Sequence, residues 1–578
     1  MSSPALADRP PARRPSAAWL AVGAFLVWSV EEAGVSPGAL FSAESARGLS
    51  RLLRGLLPLD LSPDFLAVVG GAVLRTVCIG LAGTALAVVL AVPLGLLATP
   101  TLFRPGTMAA GDGPLAWLLL GAHLVARALL RIFRAVPELL WALLFVVAVG
   151  LGPRAGALAL AVSYAGVLGR VYADLLEDVD PGPAEMLAAS GARRAPVVLF
   201  ALVPQALPGL LGYTVYSLEC AIRSAAVLGF VGAGGIGQEL QLSMRLFEYG
   251  QVSTLLLALL GVMLAGEAVS GLMRRATRSA RAGGLPSAPR WLRLLAPAAV
   301  LGSLWGSDLL GRADVGLLRR MGRFAAQLLP PDLSPAFLRS LPVPLLQTLA
   351  VAGAGTLLGV LVGAALAPLA SRGLMLRPRG APGRADLGGV LAAAVHLGTR
   401  ATLAVLRGIP EMLWVLVCIV AVGFGPFAGV LALGLHTGGV LGKLWAEALD
   451  EVGPGPLEVL DAAGASAAVR SLWGAWPQAR PLVASYGLLR WEFNLRVSAL
   501  VGFVGGGGLG LRLYNAVQLG FHQQVCTMVL LILGLVTLSD GLSSALRRSW
   551  LTSPGVRPEP GPGPIASRLS IAARGLSS

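Results

Sequence analysis

The sequence predicts an all-α, polytopic membrane protein of about twelve transmembrane helices arranged as two parallel repeats. Three observations lead there. Of 578 residues, 55% are hydrophobic and only 13% are charged, about half the ~25% charged share of a soluble chain. Many stretches reach the roughly 20 mainly apolar residues that a spanning helix needs, and they are not the short alternating strands of an outer-membrane barrel. Finally, the chain repeats itself at an offset of 272–273 residues: LLPLDLSPDFL (56–66) returns as LLPPDLSPAFL (328–338), and FRAVPELLW (133–141) as LRGIPEMLW (406–414).

Arg9, Arg13 and Arg14 precede the first apolar run, 17–30. Its outline is that of a signal peptide, but Glu31 and Glu32 stand where a small-residue cleavage site would follow. The matching run 291–306 opens the second half, so both runs read as membrane segments. Further segments of the first half are expected near 66–97, 118–151 (one span with an amphipathic lead-in), 155–175, 204–228 and 251–273. The second half repeats them near 338–369, 391–422, 426–446, 477–501 and 524–546. An even number per half gives both copies one orientation, a parallel repeat. The predicted organisation is a first repeat over 1–272, a basic linker over 273–290, a second repeat over 291–550 and a disordered tail over 551–578.

The formal charge of +15 is almost wholly arginine, and Lys443 is the only lysine. Basic residues flank apolar segments, as the positive-inside rule requires, which argues against a nucleic-acid partner and for contact with membrane lipid. Both termini and the linker carry arginine and are expected in the cytoplasm. Arg47, Arg51 and Arg54, and Arg312, Arg319, Arg320, Arg323 and Arg339, fall in stretches expected outside, where they read as interfacial amphipathic helices or, as the alternative, as an attraction for anionic solutes or a partner. The cysteines Cys78, Cys220, Cys418 and Cys526 lack metal-binding spacing and read as buried thiols.

A polar island at 174–203 separates two apolar segments and recurs at 446–476. An acidic first turn, small residues and a glycine between short helices predict a helix–turn–helix at the cytoplasmic face. Its spacing is E-x5-G-x12-P: Glu185, Gly191 and Pro204, then Glu458, Gly464 and Pro477. That spacing resembles the coupling loop of ABC-importer permeases, EAA-x3-G-x9-I-x-LP. The departures are Glu185-Met186-Leu187 and Glu458-Val459-Leu460 for the acidic triplet, with Ala201-Leu202-Val203-Pro204 and Gly474-Ala475-Trp476-Pro477 at the end. With FRAVPELLWALLFVVAVGLGP (133–153), GPGPLEVLDAAGAS (453–466) and YTVYSLECAIRSAAVLGFVGAGGIGQEL (213–240), the chain is similar to the phosphonate-importer permease in two fused copies. The resemblance implies the type I ABC-importer permease fold. It also implies partner ATPase subunits, two of them, that carry ATP and Mg and dock on the loops, and an external solute-binding protein.

The string GFVGAGGIG (229–237) contains G-x-G-x-x-G, a dinucleotide-binding fingerprint when a strand precedes it. Here apolar segments flank it, and it recurs as GFVGGGGLG (502–510). Gly229, Gly232, Gly234, Gly235 and Gly237, with Gly502, Gly505, Gly507, Gly508 and Gly510, therefore read as a break ending the fifth segments: a gate, or a tight packing turn. Just before each string lies a charged pair four residues apart, Glu219 with Arg223 and Glu492 with Arg496. Each pair either neutralises itself on one helix face or presents Arg to an oxyanion in the pathway. Glu138 and Glu411 follow helix-starting prolines and suit the positive end of a helix. His123 and His396 are equivalent and read as helix-interface residues, whereas His436 and His522 have no counterpart.

No G-x4-G-K-[ST] loop exists in the chain, since Leu444 follows its one lysine. The expected function is therefore translocation of phosphonate or a related phosphorus oxyanion, powered by a separate ATPase, with no catalytic, cofactor or metal residues of its own. The alternatives are another solute (phosphate, methionine, a quaternary amine) or an ion-coupled secondary transporter.

Overall fold

The computed structural model describes residues 17–36, 58–103, 114–192, 194–279, 290–309, 316–376 and 387–551, with scattered residues between 38 and 55. The expected tail lies outside the described residues from 552 onward, as do linker residues 280–289, Arg9, Arg13, Arg14, Arg51 and Arg312.

The first repeat begins with α1 (Ala17–Glu32) and α2 (Pro63–Ala98). An Asx turn leads into α2: Asp60 accepts from Ser62 N at 3.0 Å and Ser62 Oγ at 2.7 Å, and Pro63 occupies the first helical position, where a missing N–H costs nothing. Next come α3 (Pro114–Ala135) and α4 (Glu138–Val149), bent 93° apart. Pro137 sits at the break because it cannot donate to the preceding turn. The Trp141 indole donates to Phe133 O at 3.2 Å, satisfying a carbonyl beside the break. α5 (Pro153–Glu177) leads to the short α6 (Gly182–Ala189). α7 (Val203–Leu228) returns to the glycine string, and α8 (Ile236–Arg245) and α9 (Tyr249–Ser279) complete the repeat.

The second repeat follows the same plan: α10 (Arg290–Gly306), the amphipathic α11 (Gly316–Leu328), α12 (Pro342–Ala370), α13 (Leu387–Gly408) and α14 (Glu411–Val422). Then come α15 (Pro426–Asp450), α16 (Pro454–Ala462), α17 (Trp476–Val501), α18 (Gly508–Gln518) and α19 (His522–Leu551). The segment expected near 391–422 is two helices, α13 and α14, because Pro410 breaks it as Pro137 does in the first repeat. Trp414 Nε1 bonds Leu406 O at 3.1 Å, the same repair.

Among the described residues, eight helices are long and apolar enough to cross a membrane, or up to ten if each of two bent pairs is one span. The expected twelve included α1 and α10. The described parts of these are 16 and 17 residues long, and each begins where the described residues begin.

The two repeats share one core. Leu139, Leu140, Ala225 and Leu228 of the first are buried in the same cluster as Met412, Leu413, Ala499 and Val501 of the second. Within each repeat the main contact is α2 on α5, or α12 on α15. Small residues permit it: an added Cβ at Gly83 would meet Leu160 Cβ at 2.6 Å, and one at Gly355 would meet Leu433 Cβ at 2.9 Å. The first helices cross over, α1 packing on α12 and α10 on α2. Gly306 lies so close to α2 that a Cβ there would stand 2.8 Å from Cys78 Sγ. A further contact between repeats joins Arg154 Nε to Asp308 Oδ2 at 3.3 Å.

Candidate coupling and translocation site

Each polar island folds as the spacing predicts. Glu185 sits exposed in the first turn of α6, and Gly191 stops that helix at φ +82°. Gly191 N bonds Ala188 O at 3.0 Å, and Ala192 N bonds Leu187 O at 3.1 Å. This pair of bonds is a Schellman stop, which favours glycine because L side chains resist the left-handed conformation. Gly464 repeats it at φ +71°, with Gly464 N on Asp461 O at 3.0 Å and Ala465 N on Leu460 O at 2.9 Å. Beside the acids Glu185 and Glu458, Met186 and Val459 stand at equivalent positions, each 70% exposed.

Pro204 and Pro477 lie in the first turns of α7 and α17, each preceded by a π-turn, Val198–Leu202 and Arg470–Ala475. The wider turn relieves the clash of a proline ring with the carbonyl four residues back. Gln205 donates to Ala201 O at 2.7 Å and Gln478 to Gly474 O at 2.8 Å.

Both loops rest on apolar clusters, the second on one that includes Leu374, Leu449, Leu457 and Ala475, and the second adds polar anchors. The first rests on an apolar cluster including Leu102, Leu176, Val197 and Leu202. In the second, buried Arg470 bridges Asp461 at 2.8 Å and reaches Leu374 O at 3.4 Å. Asp450 clasps the same corner, accepting from Ser371 Oγ at 2.6 Å and Gly373 N at 2.9 Å.

At the opposite ends of α7 and α17, the glycine strings form tight, buried turns. Gly232, Gly234 and Gly235 have φ of +92°, +86° and +77°, and Gly505, Gly507 and Gly508 of +107°, +75° and +71°. The remaining four glycines are required by space. A Cβ at Gly229 would stand 2.5 Å from Gln238 N, one at Gly237 would overlap Ala226 O, and Gly502 and Gly510 are equally enclosed by Gly507 O and Ala499 O. A helix precedes each string and a helix follows it, so the strand that a dinucleotide site needs is not there.

Sequence reasoning missed what holds these turns. Thr76 Oγ1 accepts from Ile236 N at 2.9 Å and donates to Ala72 O at 2.9 Å. Thr348 does the same for Leu509 N and Pro344 O, both at 2.9 Å. A threonine on α2 or α12 thus caps α8 or α18 from a distance. Each turn also joins the start of the neighbouring helix, through Gly152 N on Gly232 O at 2.9 Å and Gly425 N on Gly505 O at 3.1 Å.

Between the two ends lies a layer of ionisable side chains. Arg223 pairs with Glu219 at 3.9 Å, as the spacing predicts. Arg496 does not follow that rule: both Asp540 oxygens on α19 accept from its Nη2 at 3.0 Å, while Glu492 is buried. Glu138 accepts from Ser224 at 3.0 Å, which stands 3.2 Å from Tyr164 OH. Glu411 lies 3.6 Å from His436 Nε2. The histidine without a counterpart therefore meets an acid that has one, and Ser163 occupies its place in the first repeat. Arg490 stacks 4.4 Å from the centre of the Phe493 ring. Its Nε and Nη2 are buried with no hydrogen-bond partner among the described residues. His123 and His396 bond Leu97 O and Leu369 O at 2.8 and 3.3 Å, the helix-interface role expected of them. Among the described residues, no group of three His, Cys, Asp or Glu could hold a metal ion.

Paired polar loops at one end, paired glycine turns at the other and a charged layer between them define a helical transport subunit made of two like halves. The chain belongs to the family described as binding-protein-dependent transport system inner membrane component, which matches residues 122–281 and 387–551. It is 31% identical to the phosphate-import permease protein PhnE of Mycolicibacterium smegmatis over 521 residues, covering 86% of this chain and 88% of that protein. It is 36% identical over 269 residues to the phosphite transport system permease protein PtxC of Stutzerimonas stutzeri, covering 45% of this chain and 90% of the relative. Among solved structures, an inward-facing MetNI methionine ABC transporter chain is 24% identical, with a TM-score of 0.32, over 38% of this chain and 98% of that one.

Proposed function

We propose that this chain is the complete translocation pathway of an ABC importer for a phosphorus oxyanion: phosphonate, phosphite or phosphate. The observation that carries the reading is likeness along nearly the whole chain to a phosphate-import permease. The phosphite permease, at 45% of this chain, supports the same substrate class and the view that one half here corresponds to one ordinary subunit.

Two ATPase subunits, each holding ATP and Mg, would grip α6 and α16. Exposed Met186 and Val459 would enter their grooves, and Glu185 and Glu458 would meet basic rims. Hydrolysis would move α7 and α17 through the π-turns that join them to the loops. The glycine turns at the far ends of these helices would then open or close the outer mouth, where an external solute-binding protein delivers the substrate. Arg223 and Arg496 would ease the oxyanion through the charged layer, since a guanidinium presents paired donors to phosphorus oxygens. The loops face the cytoplasm in this reading, as do both termini.

The test is growth of a deletion strain, with and without the restored gene, on methylphosphonate, phosphite or phosphate as sole phosphorus source. Loss on at least one, rescued by the gene, is expected. Equal growth on all three in a strain lacking other phosphorus importers would overturn the substrate class.

A further inference from the structure

A cavity of about 300 Å³ opens on the coupling-loop side of the first repeat, and its charged lining is Arg127, Arg131, Arg134, Arg170 and Asp174. The three α3 arginines fall at i, i+4 and i+7, which places them on one helix face. Arg170 and Asp174 project from the last two turns of α5, where the polar island begins. Ala98, the last residue of α2, and Leu130 close the cavity. Four guanidinium groups thus surround one carboxylate. Arg170 holds that carboxylate in a bidentate grip, Nε to Oδ2 at 3.1 Å and Nη2 to Oδ1 at 3.1 Å.

We propose that this cavity is a binding site for a phosphorus oxyanion group. Guanidinium forks suit the oxygens of such a group, and bidentate pairs of this kind are among the strongest polar contacts. The volume is many times the ~10–15 Å³ that one water requires, so the group fits with water around it. α3 also packs against α19, the helix of the second repeat that carries Asp540.

The second repeat does not reproduce this set of side chains. The equivalent positions in the second repeat are Arg400, Ala404, Arg407, Lys443 and Glu447, two guanidinium groups instead of four, with Lys443 on Glu447 at 3.8 Å. The occupant comes from one of two sources with the same chemistry: a free phosphorus oxyanion at the inner end of the pathway, or the phosphate of an anionic phospholipid, which basic pockets between membrane helices also hold. The site stands on the four arginines and is independent of which solute the chain transports.

The experiment uses the purified full chain. One arm measures equilibrium binding of labelled inorganic phosphate in phosphatidylcholine nanodiscs at low ionic strength. The other measures phosphatidylglycerol retained from native membranes, by native mass spectrometry. One phosphate per chain, or one retained phosphatidylglycerol, is expected. Arg131→Gln, at an exposed position, should weaken it about tenfold, as loss of one charge-assisted bond predicts. Arg131→Lys should weaken it less, and Arg245→Gln, at an exposed position at the end of α8, should leave it unchanged. Phosphate binding without lipid retention assigns the free-ion source, and the reverse assigns the lipid. The proposal is overturned if the wild type holds neither ligand, or if Arg245→Gln costs as much as Arg131→Gln.

Discussion

Replacing Thr76 by valine isolates the device that holds the first glycine turn. Valine keeps the shape of threonine and puts a methyl where the hydroxyl stood, so no cavity forms. Thr76 and Ile236 are both fully buried, and the Ile236 N–H finds its acceptor in Thr76 Oγ1 at 2.9 Å. Leaving a buried donor without an acceptor costs about 1–3 kcal/mol. The bond from Thr76 to Ala72 O adds little, because that carbonyl is already inside a helix. Local opening of the turn should therefore become about 5- to 150-fold more frequent. Hydrogen exchange read by mass spectrometry over residues 236–240 measures this in detergent or nanodiscs without global unfolding. Thr348→Val should produce the same change over 509–513, and Thr76→Ser, which keeps the hydroxyl, should stay close to wild type. Exchange of Thr76→Val within twofold of wild type, or opening of the turn by serine as large as by valine, would rule out this role for the hydroxyl.

Gly191→Ala and Gly464→Ala should each cost about 1–2 kcal/mol through the left-handed backbone alone, because both sites are open to a Cβ. Stimulation of the partner ATPase by the reconstituted chain should fall, with thermal stability of the membrane helices unchanged. Arg223→Ala and Arg496→Ala should each reduce oxyanion uptake at least ~10-fold, the value of one charged contact, while assembly with the ATPase persists. Unchanged uptake would make both pairs purely structural. The Ser62 hydroxyl and N–H hold the Asp60 carboxyl below its ordinary range, as the Ser334 N–H and hydroxyl hold Asp332. A depressed carboxyl contributes stability that is present above its unfolded value and is lost as pH falls through the folded one. Exchange protection of residues 60–66 and 332–338 should thus hold through neutral and mildly acid pH and fail only below the usual carboxylate range. Failure near neutral pH would contradict the assignment.

What could be read from the sequence was what obeys short-range rules. Gly191 and Gly464 mark helix stops because only a flexible residue completes the Schellman turn. The ten glycines recur in register because the same turn is built twice. Pro137 and Pro410 announce their helix breaks, although 391–422 reads as one apolar run until its two helices are seen. What stayed hidden depends on residues far apart in the chain. Arg496 has an acid four residues back, yet its partner Asp540 lies on another helix 44 residues on. Thr76 serves an amide 160 residues away, and a lone threonine inside an apolar helix gives no sign of that. The crossing of α1 and α10 onto the opposite repeats leaves only one small trace, glycines where the helices touch. The basic cavity was half legible: Arg127, Arg131 and Arg134 show helical spacing, but Arg170 joins them only through the packing of α3 on α5.

The function proposed for this chain is ATP-driven passage of a phosphorus oxyanion. The most direct measurement is uptake of labelled phosphite, methylphosphonate or phosphate into proteoliposomes holding the chain, its ATPase and its solute-binding protein. Accumulation of at least one of these should need ATP, stop with an ATPase unable to hydrolyse it, and continue when ion gradients are collapsed. Uptake that ignores ATP and follows an ion gradient would contradict it.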